Sequence, residues 1–157
     1  FKQKTAYEIA SCLVGFGDVY KRQLLLIGDG PLRNSIEEKV KLYGLKDCVK
    51  FLGIRKDVKN LYNVMDAFVL PSWYEGLPVV SVESQANGLQ CFISDKISKE
   101  CKISSSIHFI SLDKGAKFWS KEILNSKLKR NEKAEKELIE HNFDIKREAN
   151  KLVKLYY

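Results

Sequence analysis

The 157-residue sequence predicts an α/β fold, an open parallel sheet with helices on both faces. Three observations predict it. The runs Leu24–Ile27, Val49–Leu52, Ala67–Leu70, Cys91–Ser94 and Ile107–Ile110 are short and near-continuously apolar, as strands buried on both faces require. They alternate with segments of helical periodicity, the order of βα units. The first three also end abruptly, at Gly28, Gly53 and Pro71.

The length suits one domain with a real core, and 45% apolar with 30% charged residues describes a globular chain. No apolar run approaches the ~18 residues of a membrane span.

Residues 1–22 stand apart. Their amphipathic periodicity is poor, and FKQKTAYEI, SCLVG and DVYKRQ are similar to translated sequencing-adaptor read-through. A non-native segment that packs poorly is expected there, with the folded domain over 23–157. Leu24–Ile27 is the first predicted strand. Pro31 then opens a helix running to Tyr43, with Leu32, Ile36, Val40 and Tyr43 on one stripe and Gly44 as its stop. After the strand Val49–Leu52, Asp57 suits the N-cap of a helix Val58–Met65, with Leu61 and Met65 inward. Ala67–Leu70 is a buried strand, stopped by Pro71 because proline lacks a ladder N–H. A loop carries Trp73, Tyr74, Glu75 and Gly76, and Pro78 starts a helix that ends at Gly88. Val79, Val82 and Ala86 recur at i, i+3 and i+7, an expected core-facing stripe. From Asp113 the pattern is helical through Ala116, Trp119 and Ile123. A last amphipathic segment holds Leu138, Ile139, Ala149, Leu152, Val153 and Leu155.

Two carboxylates carry the chemical argument. Glu75 and Glu83 are eight residues apart, and at ~1.5 Å per helical residue their separation reaches at most roughly 12 Å. A hydrolytic carboxylate pair needs ~5–9.5 Å, so a glycosidase is disfavoured. The spacing fits an extended ligand with a charged middle lying over a helix N-terminus. Free N–H groups and the helix dipole favour phosphate or diphosphate there, and Gly76 permits close approach. A nucleotide-sugar has that shape. The plainer alternative makes Glu75 a solvated loop acid and Glu83 a partner in an interhelical hydrogen bond.

Other chemistries leave no pattern. There is no H-x-x-H, C-x-x-C or D-x-D, and His108 and His141 lie far from each other, so no metal site is expected. Dinucleotide, Walker and nucleophile-elbow motifs are absent. Cys12, Cys48, Cys91 and Cys101 read as buried free thiols of a reducing cytoplasm. The net charge of +7 includes the cluster Lys127-Leu-Lys-Arg130, read first as a solvated helical face. An anionic membrane surface is the second reading, and nucleic acid is not expected as a partner.

Glu75-Gly-Leu-Pro-Val-Val-Ser-Val-Glu83 resembles the E-x7-E signature of retaining glycosyltransferases of the GT-B fold, in the family of many bacterial polysaccharide and lipopolysaccharide transferases. Leu26-Ile-Gly-Asp-Gly-Pro-Leu-Arg33, Phe51-Leu-Gly-Ile-Arg55 and Phe68-Val-Leu-Pro-Ser72 match the same family in order, so the resemblance covers about Leu24 to Asp95. It implies the Rossmann-like, C-terminal, donor-binding half of such an enzyme, metal-independent and without a cofactor. The donor would be an NDP-sugar, with UDP-sugar expected, and the acceptor a glycan or lipid-linked sugar in exopolysaccharide assembly. By the same resemblance Glu75 is the catalytic residue, touching sugar hydroxyls and stabilising an oxocarbenium-like transition state, while Glu83 accepts from the ribose hydroxyls. Ser72, Gly76, Leu77, Pro78, Gly28 and Gly30 would line the donor, and Ile54 and Arg55 would meet the base. The family's basic Arg and Lys on the diphosphate find no counterpart upstream of the first strand. An acceptor-binding N-terminal half is expected to be missing, leaving the chain inactive alone, cytoplasmic, and peripheral at most to the inner face of the membrane. The competing reading is a non-catalytic α/β module that binds a nucleotide or anion.

Overall fold

The computed structural model describes residues 10–14 and 22–156, with side chains from Arg22 onward. Six strands form one sheet in the order β3-β2-β1-β4-β5-β6. They are β1 Ala10–Val14, β2 Gln23–Ile27, β3 Val49–Gly53, β4 Ala67–Leu70, β5 Gln90–Ser94 and β6 Ile107–Ile110. The helices are α1 Arg33–Leu42, α2 Val58–Leu61, α3 Val79–Ala86, α4 Gly115–Asn125, α5 Ala134–Glu140 and α6 Ile145–Val153. A 3₁₀ turn, Tyr62–Val64, continues α2.

β2 pairs parallel with β3, and β4, β5 and β6 pair parallel in succession. β1 lies antiparallel to both β2 and β4, so the five other strands share one direction. Ala10–Val14, within the span expected to pack poorly, is thus the central strand; the rest of residues 1–21 lies outside the described residues.

The alternation of side chains along a strand divides the core in two. Phe68, Leu70, Cys91, Ile93 and Ile107 face one side, with Tyr62 and Met65. Ala67, Val69, Phe92 and Ile110 face the other, under Trp119 and Ile123 of α4. Both faces of β4 are therefore buried, which is why its four residues are all apolar.

Several helical expectations give way to polar packing. The buried positions of α3 are Ser81, Ser84 and Gln85, while Val79 is 64% exposed and Ala86 is exposed. Gln85 explains the inversion. Its Nε2 donates to the carbonyls of Ser81 and Cys101, and its Oε1 accepts from the N–H groups of Ile103 and Ser104. A buried amide so fully paired ties the helix to the segment before β6. On α1 no residue is buried, and Leu32 and Tyr43 are exposed; the stripe reduces to Ile36 and Val40, both half-buried, with Ile36 near Leu26 and Phe51. Asp57 makes no cap bond because Arg55 takes its carboxylate. Leu152, Val153 and Leu155 at the C-terminal end are exposed, and Cys48 is exposed rather than buried.

Lys127, Lys129 and Arg130 are exposed, as a solvated cluster is, but they follow α4 in irregular chain and not on a helical face, and Arg130 is bonded as well. One guanidinium nitrogen donates to the carbonyls of Tyr62, Asn63 and Met65, the other to the carbonyl and side-chain oxygen of Asn87. A planar fork reaching two chain segments is a task for arginine, not for a flexible ammonium. It clasps the 3₁₀ turn to the C-terminal end of α3.

Candidate functional site

Because β2, β3 and β4 run in one direction, the loops that follow them emerge at the same edge of the sheet. In open α/β sheets this carboxyl edge, near the point where strand order reverses, is where ligands bind. The Gly28 N–H donates to the Gly53 carbonyl over 2.8 Å, joining the ends of β2 and β3. Both glycines hold positive φ, 119° and 61°, which side-chain-bearing residues resist. Gly28 and Gly30 line a cavity of about 20 Å³ with Asp29, Arg33 and Phe51. The Gly30 N–H donates to Asp29 Oδ1 at 2.7 Å. Arg33 is held by Asp29 and Glu37, which raise its pKa chiefly through the Glu37 hydrogen bond.

Across β1, β4 delivers the second group. β2 and β4 are two strand spacings apart, roughly 10 Å. Ser72 and Glu75 are half-buried, Pro78 is buried, and Gly76 and Leu77 are exposed. Gly76 has no neighbour within 4 Å of where a Cβ would stand, so nothing among the described residues demands glycine there. The Oε1 atom of Glu75 is buried and has no hydrogen-bond partner among the described residues. A buried carboxylate oxygen without a donor is costly unless a ligand supplies one. α3 starts at Val79 with Pro78 as N-cap and no side-chain cap, leaving its first N–H groups directed to this edge. Glu83, one turn inside, is exposed and accepts from the Tyr62 hydroxyl at 3.1 Å.

The edge therefore gathers Gly28, Gly30, Ser72, Glu75, Gly76, Leu77 and Pro78. Ile54 and Arg55 leave β3 at the same edge, yet Ile54 is 83% exposed. The Arg55 guanidinium is engaged bidentately by Asp57 at 2.8 and 2.6 Å, which raises the arginine and holds the aspartate below the usual carboxylate range. Asp95, just beyond β5 and not among the residues singled out from the sequence, also has a buried Oδ1 without a partner among the described residues. Nothing in the sequence distinguished it from a turn aspartate.

The two buried thiols, Cys91 and Cys101, do not support thiol chemistry. Burial pushes Cys91 up to about 12 and raises Cys101 as well, so neither forms a thiolate nucleophile. Among the described residues no three His, Cys, Asp or Glu side chains gather at one point.

Residues 10–104 match the family model described as "Glycosyl transferases group 1". The chain belongs to the group 1 glycosyltransferases. Among relatives of this family is EpsF of Bacillus subtilis, named as a glycosyltransferase, 43% identical over 104 residues, covering 64% of this chain and 27% of that protein. An Escherichia coli relative, the UDP-Gal:alpha-D-GlcNAc-diphosphoundecaprenol alpha-1,3-galactosyltransferase, is 34% identical over 82 residues, covering 52% of this chain and 21% of its own length. The chain thus spans about a quarter of the length of these group 1 relatives. The crystal structure of WaaG, a glycosyltransferase involved in lipopolysaccharide biosynthesis, superposes with a TM-score of 0.56 at 17% identity, over 74% of this chain and 32% of WaaG. That likeness shows the fold, an α/β domain of a GT-B glycosyltransferase.

Proposed function

We propose that this group 1 chain forms the donor-binding half of a retaining glycosyltransferase, taking its sugar from an NDP-sugar, UDP-sugar in the first instance. The acceptor in this reading is a glycan or lipid-linked sugar, in keeping with the diphosphoundecaprenol substrate named for the Escherichia coli relative. The acceptor side belongs to residues outside these 157, so the chain alone binds donor without turning it over.

The observation that carries the reading is the buried, unpartnered Oε1 of Glu75, at the sheet's carboxyl edge and just before the N-terminus of α3. In the reaction the bond from the anomeric carbon to the diphosphate oxygen breaks. The acceptor hydroxyl bonds to that carbon, and its proton passes to the departing phosphate oxygen. Positive charge builds on the sugar between these events. Glu75 accepts hydrogen bonds from the sugar hydroxyls and its negative charge favours that state. The first N–H groups of α3 hold the diphosphate, which gains negative charge as it leaves. Glu83 accepts from the ribose diol.

A chimera of this chain with the remaining portion of EpsF tests the reading. Glu75→Gln is expected to lower kcat about a hundredfold or more with donor KM little changed. Glu83→Gln is expected mainly to raise donor KM, by a few-fold to about a hundredfold. Equal, mild effects of both substitutions on kcat and KM would overturn it.

A further inference from the structure

We infer that Tyr62 is the positioning residue for Glu83: its hydroxyl holds one carboxylate oxygen so that the other faces the ribose diol of a bound nucleoside diphosphate. The inference rests on the donor-site reading of Glu83 and adds to it a residue on a different element.

The geometry begins with a fixed ring. Tyr62 is 1% exposed, packed in the core beneath β4 and β5 with Met65 and Phe68. Its main chain is fixed as well, because Arg130 takes its carbonyl at 2.7 Å together with those of Asn63 and Met65. The same guanidinium grips Asn87 at the end of α3, so the turn bearing Tyr62 and the helix bearing Glu83 are held in one register. The hydroxyl reaches α3. It lies 3.1 Å from Glu83 Oε2 and 3.4 Å from the Val80 carbonyl. A phenol has one proton to donate, and the nearer, charged acceptor is the stronger claimant.

Glu83 itself is exposed. A solvated glutamate on a helix samples several rotamers, and a ligand that needs one of them must pay for ordering it. The Tyr62 hydroxyl removes part of that freedom before the ligand arrives. It occupies Oε2 alone, and among the described residues Oε1 receives no hydrogen bond. A ribose presents two adjacent hydroxyls, either of which can donate to that remaining oxygen.

The test uses the full chain and isothermal titration with UDP, GDP and ADP, each beside its 2′,3′-dideoxy form. The quantity read is the affinity ratio of ribose to dideoxyribose form, which cancels any difference in folded fraction. Tyr62→Phe keeps the buried ring and removes only the hydroxyl. The expected result is a ratio of about ten or more for the preferred base in the unaltered chain, cut about threefold to tenfold by Tyr62→Phe. Glu83→Gln abolishes the preference, and Tyr62→Phe then has no further effect in that background. If Tyr62→Phe weakens both forms equally, or neither, the residue only supports the fold and the inference falls while the donor site stands. If Glu83→Gln leaves the ratio intact, or none of the six nucleotides binds, the reading of Glu83 falls and the inference with it.

Discussion

His108 shows at the residue scale how a polar side chain is fitted into a sheet. Its ring stacks on Phe92 with centroids 4.9 Å apart, and its Nε2 lies 2.8 Å from Gln90 Oε1. The Gln90 amide nitrogen donates to the Lys129 carbonyl, which leaves Oε1 as acceptor and sets the proton on Nε2. Burial pushes the His108 pKa down, and the Glu122 charge opposes this only in part. A folded-state value below the unfolded one favours the neutral ring. Its stabilising contribution is therefore present above the unfolded value near 6.5 and is lost as pH falls through it toward the lower folded value. The urea midpoint should drop between about pH 7.5 and 5.5, and His108→Phe, which keeps the stack, should flatten that drop; parallel profiles would show that His108 does not titrate in the window. None of this was legible beforehand, because burial of His108 depends on where β6 docks. Glu75 and Glu83 were singled out by spacing, but their inequality was not visible. One has a buried, unpaired oxygen and the other a tyrosine that lies 21 residues earlier in the chain.

At the element scale, strands were read well and helix faces poorly. β4 and β6 occupy the expected residues, and β2, β3 and β5 differ by one terminal residue. A strand buried on both faces needs only an apolar run, which the sequence displays directly. A helix face depends on what it packs against, and α3 packs through Ser81, Ser84 and Gln85 onto backbone that needs hydrogen bonds. Periodicity weighted by hydrophobicity selects the wrong side of such a helix. Its end was legible, since Gly88 is needed there for two reasons. Its φ is 76°, and a Cβ would come within 2.8 Å of the Asn131 carbonyl oxygen, whose own N–H donates to the Gly88 carbonyl. Gly44 shares the positive φ, 66°, but has open space around it. Gly44→Ala should cost about 1 kcal/mol, the conformational term alone. Gly88→Ala should cost about 2–4 kcal/mol, because backbone must also move. Equal shifts in urea midpoint would show that the Asn131 approach adds nothing.

At the scale of the whole molecule the decisive feature is β1. Among the described residues, the pair β2–β3 and the trio β4–β5–β6 share ladder hydrogen bonds only through it. Removing residues 1–14 should therefore lower the melting temperature far beyond the ~2–4 °C that corresponds to ~1 kcal/mol, or abolish cooperative unfolding. A shift within that small range would mean the two halves hold together through their side chains alone. The α/β class and the shared carboxyl edge were legible because alternating strands and helices leave few topologies. The reversed strand was not, because strand direction follows from chain connections and leaves no mark in a five-residue run. The face of the sheet under α4 is not filled by that helix: beside it Leu24 of β2 and Val69 of β4, with Leu112, Trp119 and Ile123, line an apolar groove of about 440 Å³. A groove of that size and lining takes up a molecule as large as an environment-sensitive naphthalene dye. Fluorescence enhancement of such a dye, the usual signature of loosened packing, is thus expected from the fully native protein and should vanish, rather than grow, when the chain is unfolded.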